Sequence, residues 1–173
     1  MKMRLIHFSN ITEEQYNEYI DEWEKAKETI VPQVSGRRGL TYSQLQNQWS
    51  MQEISPVLPQ KHVRATLFFL INESNQILGS IHLRYRLTDV QINAGLSHVG
   101  AGIKPSERNK GYGTLMLRLL LDSLNKDEVD SKIIVTVRES NVFSIKTIEK
   151  NGGIMEGTFV EDGYKSRRYS VAI

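Results

Sequence analysis

Cysteine is absent from all 173 residues. Its absence removes disulfides, thiolate metal sites and cysteine nucleophiles, and it fits a reducing compartment. No apolar run is long enough to span a bilayer. The N-terminal Met1-Lys2-Met3-Arg4-Leu5-Ile6 turns polar by Ser9-Asn10, without the apolar centre of a signal peptide, so a cytoplasmic protein is expected. Charge of one sign is also scarce. Twenty-two basic residues against 20 acidic leave a net +2, which supplies no drive toward nucleic acid or an anionic membrane. The four histidines lack ligand spacing and the acidic residues are scattered, so no metal is expected. No repeat, low-complexity tract or linker interrupts the chain, and residues 1–173 are expected to form one domain.

What the chain does have is regular patterning. Arg4–Phe8 reads as a short strand. Thr12-Glu13-Glu14-Gln15 is a capping box with Ile11 and Tyr16 as its staple. Tyr16, Tyr19, Ile20, Trp23 and Ile30 then recur at helical spacing, predicting a helix over about 13–29 that Pro32 ends. Tyr42–Met51 reads as a second helix stopping near Ser55-Pro56. Val63–Ile71 and Gln76–Leu87 are β-rich runs around a turn at Asn72–Asn75, and Thr88–Ala94 connects to a buried strand at Leu96–Ile103. Leu117, Leu120, Leu121 and Leu124 mark one face of a helix over Gly111–Asn125. Lys132–Val137 is a further strand, and Asn141–Asn151 a helix stopped by Gly152-Gly153. Ile154–Phe159 and Tyr164–Ala172 close the chain as a hairpin around Glu161-Asp162-Gly163. The order β-α-α-β-β-β-α-β-α-β-β specifies an α/β (α+β) domain with a mixed, mostly antiparallel sheet flanked by helices.

The most informative stretch is Arg108-Asn109-Lys110-Gly111-Tyr112-Gly113-Thr114, between the buried strand and the leucine-rich helix. A glycine loop that opens a helix aims unpaired N–H groups and the positive end of the helix dipole at one point, an arrangement suited to phosphate. No Lys-Ser/Thr pair follows the second glycine, so this is not a Walker loop, and it lacks the third glycine of the dinucleotide fingerprint. Lys104, Arg108 and Lys110, against a single Glu107, are candidates for screening phosphate charge; the alternative is a solvated turn.

Arg108-x-x-Gly111-x-Gly113 resembles the acyl-CoA pyrophosphate signature of the GNAT superfamily of N-acetyltransferases, and Ile103-Lys104-Pro105 resembles the Ile-x-Pro that precedes it. Asn141, Ser144, Lys150 and Gly152 resemble a second element of that family, and the element order is similar from end to end. The resemblance implies transfer of acetyl from acetyl-CoA to a primary amine by direct attack, with no metal. Arg108, Asn109, Lys110, Gly111, Tyr112, Gly113 and Thr114 would cradle the pyrophosphate through main-chain amides. Ile103 would pair with pantetheine, with a nearby N–H holding the oxyanion, and Asn141 would contact the cofactor arm or simply cap its helix. The partners implied are a small-molecule or peptide amine, and a homodimer on the exposed strand edge or terminal hairpin.

Two positions depart from the family pattern. Ile148 stands where a tyrosine often protonates the departing thiolate. A thiol pKa of about 8.5 makes that acid helpful rather than indispensable. His98 stands where many members carry a glutamate that takes the proton of the amine, so it is the candidate general base, with a core histidine satisfied by a carbonyl as the alternative. His82 is a weaker candidate. The missing tyrosine leaves a second reading open, a non-catalytic acyl-CoA-binding module.

Overall fold

A computed structural model describes residues 2–54 and 63–173. The expected stop of the second helix at Ser55-Pro56 lies outside these residues. Among the described residues are seven strands, β1 (Arg4–His7), β2 (Ala65–Ile71), β3 (Ile77–Arg84), β4 (Val99–Ile103), β5 (Lys132–Arg138), β6 (Ile154–Glu161) and β7 (Tyr164–Ala172), and five α-helices. These are α1 (Glu13–Ala26), α2 (Tyr42–Ile54), α3 (Asp89–Asn93), α4 (Tyr112–Ser123) and α5 (Val142–Lys150). The short α3, with its own Thr88/Gln91 capping box, occupies the segment expected to be a plain connection. The first helix ends earlier than Pro32 requires, because Lys27 adopts a left-handed conformation and closes the last turn onto Glu24.

The strands form two antiparallel ladders, β1-β2-β3-β4 and β5-β7-β6, rather than one mixed sheet. Alternation along the central strands sends side chains to both faces of the first ladder. Leu67, Phe69 and Ile71 meet Tyr16, Tyr19, Ile20 and Trp23 of α1 with Leu45 and Trp49 of α2. Leu70, Ile81, Leu83 and Val99 meet Met116, Leu117 and Leu120 of α4 on the opposite face. The same cluster continues into Ile133, Val135 and Val137 of β5, Ile145 and Ile148 of α5, and Tyr169 and Val171 of β7. One apolar core beneath α4 and α5 therefore joins both sheets.

On the α1/α2 face of β4 the backbone of a loop takes the place of side chains. A Cβ on Gly102 would lie 2.0 Å from the Val31 carbonyl oxygen, whereas one on Gly113 would meet nothing closer than Thr147 Oγ1 at 3.6 Å. These two glycines predict opposite outcomes. Gly102→Ala is expected to lower stability by about 1–3 kcal/mol, because backbone must move. Gly113→Ala is expected to leave stability unchanged or raise it by up to about 1 kcal/mol, since alanine is the better helix former. Urea unfolding of the two variants checks the contrast; equal destabilisation contradicts it.

Candidate active site

The glycine loop folds as the residue types dictate. Asn109 and Gly111 take left-handed φ values of 62° and 82°, and Gly111 is the N-cap of α4 without any side-chain cap. Among the described residues, none of the backbone N–H groups of Asn109 through Thr114 finds an acceptor. The space around Gly111 is open, with no atom within 4 Å of a notional Cβ. Alternating left- and right-handed residues at a helix start turn consecutive donors into one concave nest, and the dipole adds to its positive potential. The nest is a fit for a diphosphate.

The basic side chains around the nest are each engaged in an ion pair. Arg108 donates through Nε to the Ile103 carbonyl (3.1 Å), pairs with Glu28 at 2.7 Å and lies 5.0 Å from the Trp23 ring centroid. Lys104 pairs with Glu22 at 3.1 Å, and Lys110 with Glu107 at 3.0 Å. Glu22 also accepts from the Ser106 N–H at 2.7 Å. Burial pushes the Glu22 carboxyl up, but the Ser106 and Lys104 donors hold it below the ordinary carboxylate range. The Lys104–Glu22 and Arg108–Glu28 pairs tie the loop to α1 and the residues just after it, while Lys110–Glu107 closes within the loop.

The strand leading into the loop has an open edge. Lys104 N donates to Leu78 O and Arg84 N to His98 O, which sets the parity of the β3–β4 ladder. Val99, Ala101 and Ile103 consequently point their backbone groups away from β3. Asn141 accepts from the Ser144 N–H at 3.2 Å and caps α5, as the alternative for it required. Gly113 lies against Thr147 of α5 and Ile103 of β4, so strand end, loop and α5 converge.

His98 does not meet the requirements of a general base. It is 0% exposed, its Nδ1 accepts from the Ile134 N–H (2.9 Å), and its Nε2 lies 2.8 Å from Asp130 Oδ2. Both nitrogens are occupied, and the geometry requires the neutral tautomer with the proton on Nε2. Burial would raise the Asp130 carboxyl, but the Leu87 N–H and the His98 ring hold it low. Sequence reading missed this partner, because Asp130 is 32 residues away on a different connection. Ile148 is 3% exposed in the core and supplies no acid. His82 shares a face with Ser80 and is paired with Gly100; its Nε2 lies 3.2 Å from Gln52 Oε1. Burial, with a smaller contribution from Arg84, pushes its pKa down to about 3. A separate recess of about 520 Å³, lined by Arg86, Lys126, Asp127 and Asp130 among others, includes no residue of the nest.

Comparison with known proteins identifies the family and the fold. The family model for the acetyltransferase (GNAT) domain matches residues 5–154. No curated protein matches the chain by sequence. Among solved structures, an aminoglycoside acetyltransferase in complex with coenzyme A and kanamycin superposes with a TM-score of 0.64 at 18% identity, covering 99% of this chain and 95% of that one. A GNAT-family acetyltransferase from Streptococcus pneumoniae gives 0.65 at 14% identity, with 99% and 100% coverage. A spermidine N-acetyltransferase from Vibrio cholerae gives 0.62 at 15%, with 99% and 95%. At such identities the likeness is one of fold.

The buried His82 makes a prediction about pH. Its folded-state pKa lies below the ordinary 6.5, so the unfolded chain binds the proton first as the medium is acidified. Stability present above pH 6.5 is therefore lost as pH falls toward 3, with a slope of up to about 1.4 kcal/mol per pH unit. His82→Gln is expected to flatten the curve of urea midpoint against pH in that window. Parallel curves for the two proteins contradict the assignment.

Proposed function

The chain belongs to the GNAT acetyltransferase family, and we propose that it moves the acetyl group of acetyl-CoA to a primary amine by direct attack. The observation that carries this reading is the run of unpartnered N–H groups from Asn109 to Thr114 at the start of α4, beside the open edge of β4. In this reading those donors bind the diphosphate, and the edge groups of Ala101 and Ile103 pair with the pantetheine arm. The thioester of acetyl-CoA supplies an acyl group already activated for attack, so the chain's contribution is chiefly alignment. The buried Ile148 supplies no acid for the departing thiolate, and a thiol pKa of about 8.5 makes such an acid helpful rather than indispensable.

The acceptor in this reading is a small-molecule or peptide amine. The relatives named above act on aminoglycoside and spermidine amines, which supports an amine without choosing one. A cytoplasmic setting remains part of the proposal. So does a homodimer, for which the exposed edge strand β6, with Ile154, Met155 and Val160 in solvent, offers a surface. The second reading, a non-catalytic acyl-CoA-binding module, is favoured by Ile148 alone.

Three measurements test the proposal. Calorimetry with coenzyme A is expected to show binding by the native chain and at least tenfold weaker binding by Gly111→Val, about 1.4 kcal/mol. Unchanged affinity in a folded variant overturns the nest. Thiol release from acetyl-CoA across an amine panel separates the readings, since binding without turnover favours the module. For a turned-over amine, His98 is sealed and His82 is too weak a base to deprotonate an ammonium. The rate at sub-saturating amine is therefore expected to climb about tenfold per unit from roughly pH 7 to 9, following free amine. A plateau beginning near neutrality contradicts it.

A further inference from the structure

The two sheets approach one another at the N-terminal end of β4. The His98 N–H donates to the Ile134 carbonyl at 2.8 Å, which sets the parity of β5: Ile134 and Thr136 turn their backbone groups toward β4. Those groups face an edge whose own Val99, Ala101 and Ile103 look back at them. Two strand edges with complementary free donors and acceptors pair spontaneously unless something occupies them. Here two side chains do. His98 Nδ1 accepts from the Ile134 N–H at 2.9 Å, and Ser97 Oγ accepts from the Thr136 N–H at 2.8 Å.

We propose that Ser97 and His98 are positioning residues that hold the cleft between β4 and β5 open, by occupying the β5 donors that would otherwise pair with the β4 edge. Both residues are anchored. The His98 ring is clamped by Asp130, which also accepts from the Leu87 N–H at 2.9 Å. The Ser97 residue is fixed by its carbonyl, which accepts from Nη1 of Arg84 at 2.8 Å. Beyond this clamp the N–H groups of Ala101 and Ile103 face the gap. The Ile103 carbonyl is tied at the far end by Arg108, so the open stretch runs from the clamp to the nest. The inference rests on the reading that the pantetheine arm occupies this stretch.

Ser97→Ala frees the Thr136 N–H and lets β4 and β5 pair for part of the time. The apparent affinity for an arm that needs the open form then falls by the fraction closed. The test compares coenzyme A with adenosine diphosphate, which carries a diphosphate but no arm. Ser97→Ala is expected to weaken coenzyme A about tenfold, raise KM for acetyl-CoA in step and hold kcat within about twofold, with adenosine diphosphate unaffected. Ser97→Thr, which keeps the hydroxyl, restores native values. His98→Asn, which keeps an acceptor near the Nδ1 position, is expected to bind coenzyme A more tightly than His98→Leu. If His98→Leu does not fold, the serine pair decides alone. Equal weakening of both ligands, or of neither, overturns the clamp while leaving the acetyltransferase reading intact. Failure of the native chain to bind coenzyme A overturns that reading instead.

Discussion

Two strand edges that face each other without pairing, above a core that joins them, set the terms for everything else here. Met116, Leu117 and Leu120 of α4 pack against β3 and β4 as well as β5, so the sheets are inseparable on one face. On the strands themselves the ladder stops at His98 and Ile134. A continuous sheet would have used the backbone groups of Ala101 and Ile103 internally. Interrupting it leaves them available for an extended ligand, at the energetic cost of an exposed strand edge.

The helix start obeys the same logic at the other end of the gap. Every α-helix has N–H groups that its own turns do not satisfy, and most are met by a capping side chain. Thr12 meets them on α1, Thr88 on α3 and Asn141 on α5. At α4 the N-cap is glycine, which brings no competing oxygen. The carboxylates Glu22, Glu28 and Glu107 take up the nearby cations, so the loop is held by ion pairs while its main chain stays unoccupied. Partly exposed pairs of this kind contribute little to global stability, and their value lies in the geometry they fix.

Much of this was legible in the sequence, because the signals are local. The capping box at Thr12, the leucine stripe of α4 and the Asp162-Gly163 turn depend on residues within a few positions of one another, and each appears where the pattern predicts. The glycine loop was legible for the same reason. What the sequence concealed is non-local. Nothing in the run Leu96–Ile103 says that Asp130 lies against the His98 ring, and a histidine on a central strand has the same spelling whether it is a base or a tie between sheets. The partners of Lys104 and Arg108 were hidden for a related reason, since Glu22 of α1 and Glu28 just beyond its end lie about eighty residues earlier in the chain.

The central claim is that main-chain donors at the mouth of α4 and along the β4 edge bind coenzyme A. Amide-resolved nuclear magnetic resonance during a titration with the cofactor tests it most directly. The account predicts the largest chemical-shift changes at Asn109 through Thr114 and at Ala101 and Ile103, with the amides of Ile134 and Thr136 barely moving because side chains already hold them. Saturable binding that leaves the Asn109–Thr114 amides unshifted while moving others would contradict it.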